Sequence, residues 1–124
     1  MSECCSKNEG ETLVFTCAGA AYSGQVANRA GVDLMKEGAG QLFCAAAIAA
    51  DRPDKVERAR KAARRIVIDG CEDDCARLIL DRAGMSVDVH VDVTALGIEK
   101  KPDQPQMLTD AKRVVEAVKQ RLCS

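Results

Sequence analysis

Three cysteines recur at one interval: Cys17, Cys44 and Cys71 are each 27 residues apart (44−17 and 71−44), and Cys75 follows four residues after the last (75−71). That interval is about the length of one strand-plus-helix unit, so each cysteine falls at the same point of a repeated βα element. A chain built on such a repeat forms a parallel sheet and can bring four thiols to one edge of it. Four converging thiols point to a bound soft metal.

The segments between the cysteines fit this plan. Residues 1–11 are polar and aperiodic and read as a flexible tail carrying Cys4 and Cys5; residues 12–124 read as a single α/β metal-binding domain. The apolar run Leu13, Val14, Phe15 is a buried strand ending at Cys17, and Ala18-Gly19-Ala20-Ala21 makes a tight turn. A helix follows, with Ser23 as N-cap, Val26, Ala30 and Leu34 on one face, and Gly38 and Gly40 stopping it. A short second strand covers Gln41 to Cys44, and Ala45 to Ala50 reads equally as helix or close-packed loop. Pro53 opens another helix, capped by Asp51 and carrying Val56, Ala59 and Ala63, that leads to a third strand, Arg65 to Asp69.

After the turn at Gly70, Cys71 and Cys75 open a helix with Leu78, Ile79 and Ala83 as its apolar face and Gly84 as its end. Residues 87–93, VDVHVDV, alternate strictly and form a half-exposed fourth strand. A loop containing Pro102 and Pro105 leads to a last helix lined by Leu108, Ala111, Val115, Val118 and Leu122. The order βαβαβαβα gives a three-layer α/β sandwich: a four-stranded parallel sheet of order 2-1-3-4 with helices on both faces.

Such sheets bind ligands outside the carboxyl ends of their strands, where the winding direction reverses. Cys17, Cys44 and Cys71 all lie at those ends. Neighbouring strands are roughly 4.8 Å apart; sulfurs around a zinc ion are roughly 3.8 Å apart, within reach of side-chain rotation. The helix start that carries Cys71 and Cys75 offers unsatisfied N–H groups that favour thiolates. Glu72, Asp73 and Asp74 attract a cation there and oppose thiolate charge without one.

Composition removes several functions. Net charge is −1, so bulk electrostatics favours neither nucleic acid nor anionic membrane, and with Phe15, Tyr22 and Phe43 as the aromatic side chains base stacking is poorly served. The longest apolar run, Leu42 to Ala50, is too short to span a bilayer, and Met1 to Thr12 lacks the build of a signal peptide. A cytoplasmic protein is expected, and there seven cysteines mean metal or redox chemistry rather than a disulfide framework.

The segments Ile68-Asp69-Gly70-Cys71-Glu72-Asp73-Asp74-Cys75-Ala76, Thr16-Cys17-Ala18-Gly19-Ala20, Gly24-Gln25-Val26-Ala27, Phe43-Cys44-Ala45 and Leu96-Gly97-Ile98-Glu99-Lys100 together resemble the DGC-domain family. The resemblance runs from Thr12 to Lys101. It implies a zinc-binding protein without a defined biochemical role, whose four chelating cysteines match Cys17, Cys44, Cys71 and Cys75. Family members often carry proline where this chain has Glu72, a change that leaves the ligands intact and alters the helix start. The resemblance adds a metal and no reaction.

Rival readings have less support. A strand followed by a cysteine loop and a helix also resembles the low-molecular-weight tyrosine phosphatases, but the position six after Cys17 is Ser23, and the phosphate-binding arginine is missing. Clustered thiols could instead exchange disulfides or hold an iron–sulfur cluster, which is the main alternative. Asp88, His90 and Asp92 share one face of the fourth strand; a solvated edge-strand face is the preferred account over a second metal or acid–base site. Lys55, Arg58, Arg60, Lys61, Arg64 and Arg65 read as a solvated helix face, with Glu57 near Lys61, ahead of a docking surface for an acidic partner. Cys4, Cys5 and Cys123 read as accidental thiols in mobile ends. No general base, phosphate loop or nucleotide fingerprint is visible, which weighs against an enzyme.

Overall fold

The computed structural model describes residues 10–123. Cys4 and Cys5 lie outside the described residues. Four strands, β1 (Thr12–Thr16), β2 (Gln41–Phe43), β3 (Arg64–Asp69) and β4 (Val89–Asp92), form one sheet in the order β2-β1-β3-β4. All pairings are parallel, in the order expected from the sequence. Five helices surround it: α1 (Tyr22–Lys36), α2 (Ala45–Ala49), α3 (Pro53–Lys61), α4 (Cys75–Arg82) and α5 (Met107–Leu122). The ambiguous alanine stretch is therefore helical.

Period-2 alternation divides the strands between two cores. Val14, Ile66, Ile68, Val89 and Val91 face one side, where they pack with Val26, Ala30 and Leu34 of α1 and Ala111, Val114 and Val118 of α5. Leu13, Phe15 and Val67 face the other, against Ile48 of α2, Ala59 of α3 and Ala76 and Leu80 of α4. Both faces of the sheet are thus covered, which is why the central strands read as continuous apolar runs.

Several local expectations shift. Cys71 does not open α4: it lies in a turn closed by the Asp74 N–H donating to the Cys71 carbonyl at 3.2 Å, and the helix begins at Cys75. The buried side of α4 is Ala76 and Leu80, while Leu78 is 52% exposed. Ser23 is not the N-cap of α1; it lies inside the helix, buried, and Ala21 precedes the first turn. Asp51 yields the N-cap of α3 to Arg52. Leu108 stays 64% exposed beside Arg29 and Asp33 of α1, and Val114 joins the buried stripe of α5.

The main chain of Glu11 is held at the foot of the sheet, accepting the Ala63 and Arg64 N–H groups at 2.8 and 3.3 Å, while its carboxylate takes a two-pronged contact from Arg58. The basic helix face is largely engaged in this way. Lys61 pairs with Glu57 at 2.9 Å, and Arg65 donates to the Ala59 carbonyl and to Ser86. Cys123 is not the accidental thiol expected from the sequence: it is disulfide-bonded and sits at the C-cap of α5, its N–H donating to the Lys119 carbonyl.

Candidate metal centre

The carboxyl edge of the sheet is where the chemistry-bearing residues gather. Cys17 follows β1, and its N–H donates to the Ile68 carbonyl at 3.2 Å, extending the ladder by one residue. Its Sγ accepts the Gly70 N–H at 3.2 Å. Cys44 follows β2 and caps α2, Cys71 lies just beyond β3, and Cys75 starts α4.

Glycine shapes the space between them. A Cβ on Gly70 would lie 2.6 Å from the Gly24 nitrogen and 2.7 Å from its Cα, and one on Gly24 would lie 2.7 Å from the backbone of Gly19. The end of β3, the start of α1 and the β1–α1 loop therefore meet main chain to main chain, which only glycine allows. The middle residue of the Asp69-Gly70-Cys71 motif is fixed by this contact.

Cys17, Cys71 and Cys75 border one cavity, together with Gly19, Gly24 and Gly70. Cys17, Cys44 and Cys75 border the adjoining one. The four sulfurs thus occupy the walls of two cavities that share Cys17 and Cys75, and they are not all drawn within 4.8 Å of one another. Cys17 and Cys71 are half-buried, and Cys44 and Cys75 are exposed.

The helix start does not favour the Cys75 thiolate as its position alone suggests. Partial desolvation, then the Asp69 and Asp73 carboxylates, then the Cys17 and Cys71 sulfurs, hold the Cys75 thiol above its ordinary range. Desolvation leads there, and local negative charge adds to it. A cation among the sulfurs would reverse that balance.

A second group lies on the same edge, between α4 and β4. Asp69, only 1% exposed, accepts the Ala76 N–H at 2.8 Å and the Arg77 N–H at 3.2 Å, so it caps α4 from the end of β3. Asp74 holds the N-cap position itself but makes no side-chain cap. Its backbone is left-handed, with φ +52°, and its carboxylate turns instead to His90, with Oδ1 3.5 Å from Nε2. His90 Nε2 also lies 3.0 Å from Asp69 Oδ2 and 3.7 Å from Asp92 Oδ1, and its Nδ1 lies 3.4 Å from Arg77 Nη1. Burial, then the contact with Asp74 and its negative charge, push Asp92 up to about 6.

These positions correct the solvated-edge account of β4. His90 is 15% exposed at the side chain, enclosed by the Asp69, Asp74 and Asp92 carboxylates and the Arg77 guanidinium. Asp88 is not a member: it pairs with the Arg65 main chain, its carboxylate accepting the N–H and its own N–H donating to the carbonyl. The alternation of residues 87–93 marks His90 and Asp92 as partners on one face. Asp69 and Asp74 escape sequence reasoning, because their approach depends on the β3–β4 register, which sets Asp69 beside Asp92 and Val67 beside His90.

Among the described residues no helix is long and apolar enough to cross a membrane. No solved structure matches the chain. The anaerobic and virulence modulator AnvM of Pseudomonas aeruginosa is 28% identical over 102 residues, covering 82% of this chain and 78% of that protein. The DGC domain profile matches residues 13–118, which takes in β2, β3, β4, all of β1 but Thr12, and the four free cysteines among the described residues. This chain belongs to the DGC-domain family.

Proposed function

We propose that this chain is a zinc-binding protein that holds one Zn²⁺ through the thiolates of Cys17, Cys44, Cys71 and Cys75. The observation that carries the reading is the shared wall: Cys17 and Cys75 border both cavities, with Cys71 on one side and Cys44 on the other. Four sulfur donors suit a soft or borderline cation. The donor set fits such an ion: the Gly70 N–H aimed at Cys17 Sγ stabilises negative charge on that sulfur. The Cys71 and Cys75 main chains are fixed by the turn and by the Asp69 cap of α4, so two ligands are held on a rigid element.

A closed four-thiolate site ordinarily serves structure, whereas the carboxyl edge of a parallel sheet ordinarily serves ligands. We take the second consideration to decide for metal handling or sensing, since Cys44 and Cys75 are exposed at that edge, open to exchange with solvent.

Elemental analysis of anaerobically purified protein, with a visible spectrum, tests the reading on wild type and Cys71→Ser. One colourless zinc per chain, lost in the variant, is the expected result. Iron with visible absorbance transfers the site to iron–sulfur or redox chemistry, and no metal in either protein overturns the reading.

A further inference from the structure

The group between α4 and β4 is chemically unlike the thiols. Its donors are one imidazole nitrogen and three carboxylate oxygens, all within 4.8 Å of one another. Measured from His90 Nε2, the oxygens lie at 3.0, 3.5 and 3.7 Å. Four donors at bonds of about 2.1 Å are separated by about 3.4 Å in a tetrahedron and about 3.0 Å along the edges of an octahedron. The three distances from Nε2 span those edge lengths, and the remaining separations stay within 4.8 Å.

With all three carboxylates ionised, hydrogen bonding among the four residues does not satisfy them. One imidazole N–H serves one oxygen, and the closest is Asp69 Oδ2. Asp74 Oδ1 and Asp92 Oδ1 are then left out of contact with water and without a hydrogen-bond donor. A buried carboxylate oxygen with no partner is costly, and two in one group call for a positive charge between them. Arg77 does not supply it, because its guanidinium approaches the opposite ring nitrogen, Nδ1.

We propose that Asp69, Asp74, His90 and Asp92 form a second cation site, for a first-row divalent ion of the Mn²⁺ class that prefers oxygen and imidazole donors to thiolates. Asp69 Oδ2 can ligate while still accepting the Arg77 N–H, since a carboxylate oxygen offers two lone pairs. Ligation through Nε2 leaves the His90 proton on Nδ1. The exposed Arg77 side chain then withdraws from Nδ1 toward Asp81, whose carboxylate is already 3.9 Å from Arg77 Nε. This site does not depend on the thiol reading, because none of its ligands is a cysteine.

The test is a Mn²⁺ titration of the full chain as purified, with unbound Mn²⁺ read from its electron paramagnetic resonance signal. Wild type is expected to take up one equivalent, and His90→Ala and Asp92→Asn each to weaken binding by about tenfold or more. Cys71→Ser should bind Mn²⁺ as wild type does. Asn at 92 can donate to Asp74 in place of the cation, so this variant keeps the fold, as circular dichroism would verify. No uptake by wild type at millimolar Mn²⁺ would mean that a shared proton alone satisfies the carboxylates, and would overturn the proposal. Unchanged uptake in both site variants, or uptake abolished by Cys71→Ser, would overturn it equally.

Discussion

Asp69 and His90 face each other across the β3–β4 boundary, Oδ2 to Nε2 at 3.0 Å, while the same carboxylate holds the first N–H groups of α4. One buried side chain therefore connects the helix carrying Cys75 to the strand carrying His90.

Replacing Asp69 should destabilise the protein whatever ions it binds. Asp69→Ala leaves the Ala76 N–H buried without an acceptor and removes the His90 contact, at a cost of about 1–3 kcal/mol. A denaturation midpoint lowered without a change in slope is the expected signature. A variant as stable as wild type would show that α4 is capped in another way.

Asp92 gives stability a definite pH dependence in the metal-free chain. Its folded value of about 6 lies above its ordinary range, so between about pH 4 and 6 the folded state binds more protons than the unfolded one. Stability contributed by protonated Asp92 is thus present at acid pH and lost as pH rises through about 6. Asp92→Asn should be more stable than wild type at pH 7, by about 1–3 kcal/mol, with the difference vanishing toward pH 4. Paired melts at the two pH values check this, and a constant difference would refute it.

Gly70→Ala should disturb both the fold and the thiol cavity. The added Cβ meets the Gly24 nitrogen and Cα and the Ser23 carbonyl carbon at 2.6, 2.7 and 2.9 Å, all of them main chain and unable to rotate away. A loss of about 1–3 kcal/mol is expected, together with lower zinc retention. Chelator competition on folded Gly70→Ala protein separates the two effects.

The cysteines should not contribute equally to zinc affinity. Cys17 and Cys75 border both cavities and Cys44 only one. Cys17→Ser and Cys75→Ser should therefore raise the zinc dissociation constant by a larger factor than Cys44→Ser, in competition with a chromophoric chelator. Equal losses would show that bordering one cavity or two does not rank the four ligands.

The sequence carries the architecture further than it carries the site. The 27-residue cysteine interval and the apolar runs lead to the parallel sheet, its order and its ligand edge. The valines of residues 87–93 set the buried face of β4, where Val89, Val91 and Val93 are all found. Local periodicity fails where a turn competes with a helix: Cys71 and Cys75 have helical spacing, yet the left-handed Asp74 breaks the helix between them. The His90 group fails for a different reason. Its members come from β3, β4 and the turn between β3 and α4, and composition holds no record of strand register or of the turn that brings Asp74 to His90.

The sheet does not grip the strands that carry Cys44 and Cys17 equally. β2 is a three-residue edge strand with three register pairs to β1, and five-residue α2 follows it directly, whereas β1 has five register pairs with β3 and neighbours on both sides. Local opening free energy falls with the amount of ladder that must be broken, so amide exchange in β2 should be among the fastest in the sheet. Cys44 rides on that lightly tethered margin while Cys17 and Cys71 are moored to the centre. At the proposed zinc site, Cys44 is then expected to be the last sulfur to bind an incoming ion and the first to release it.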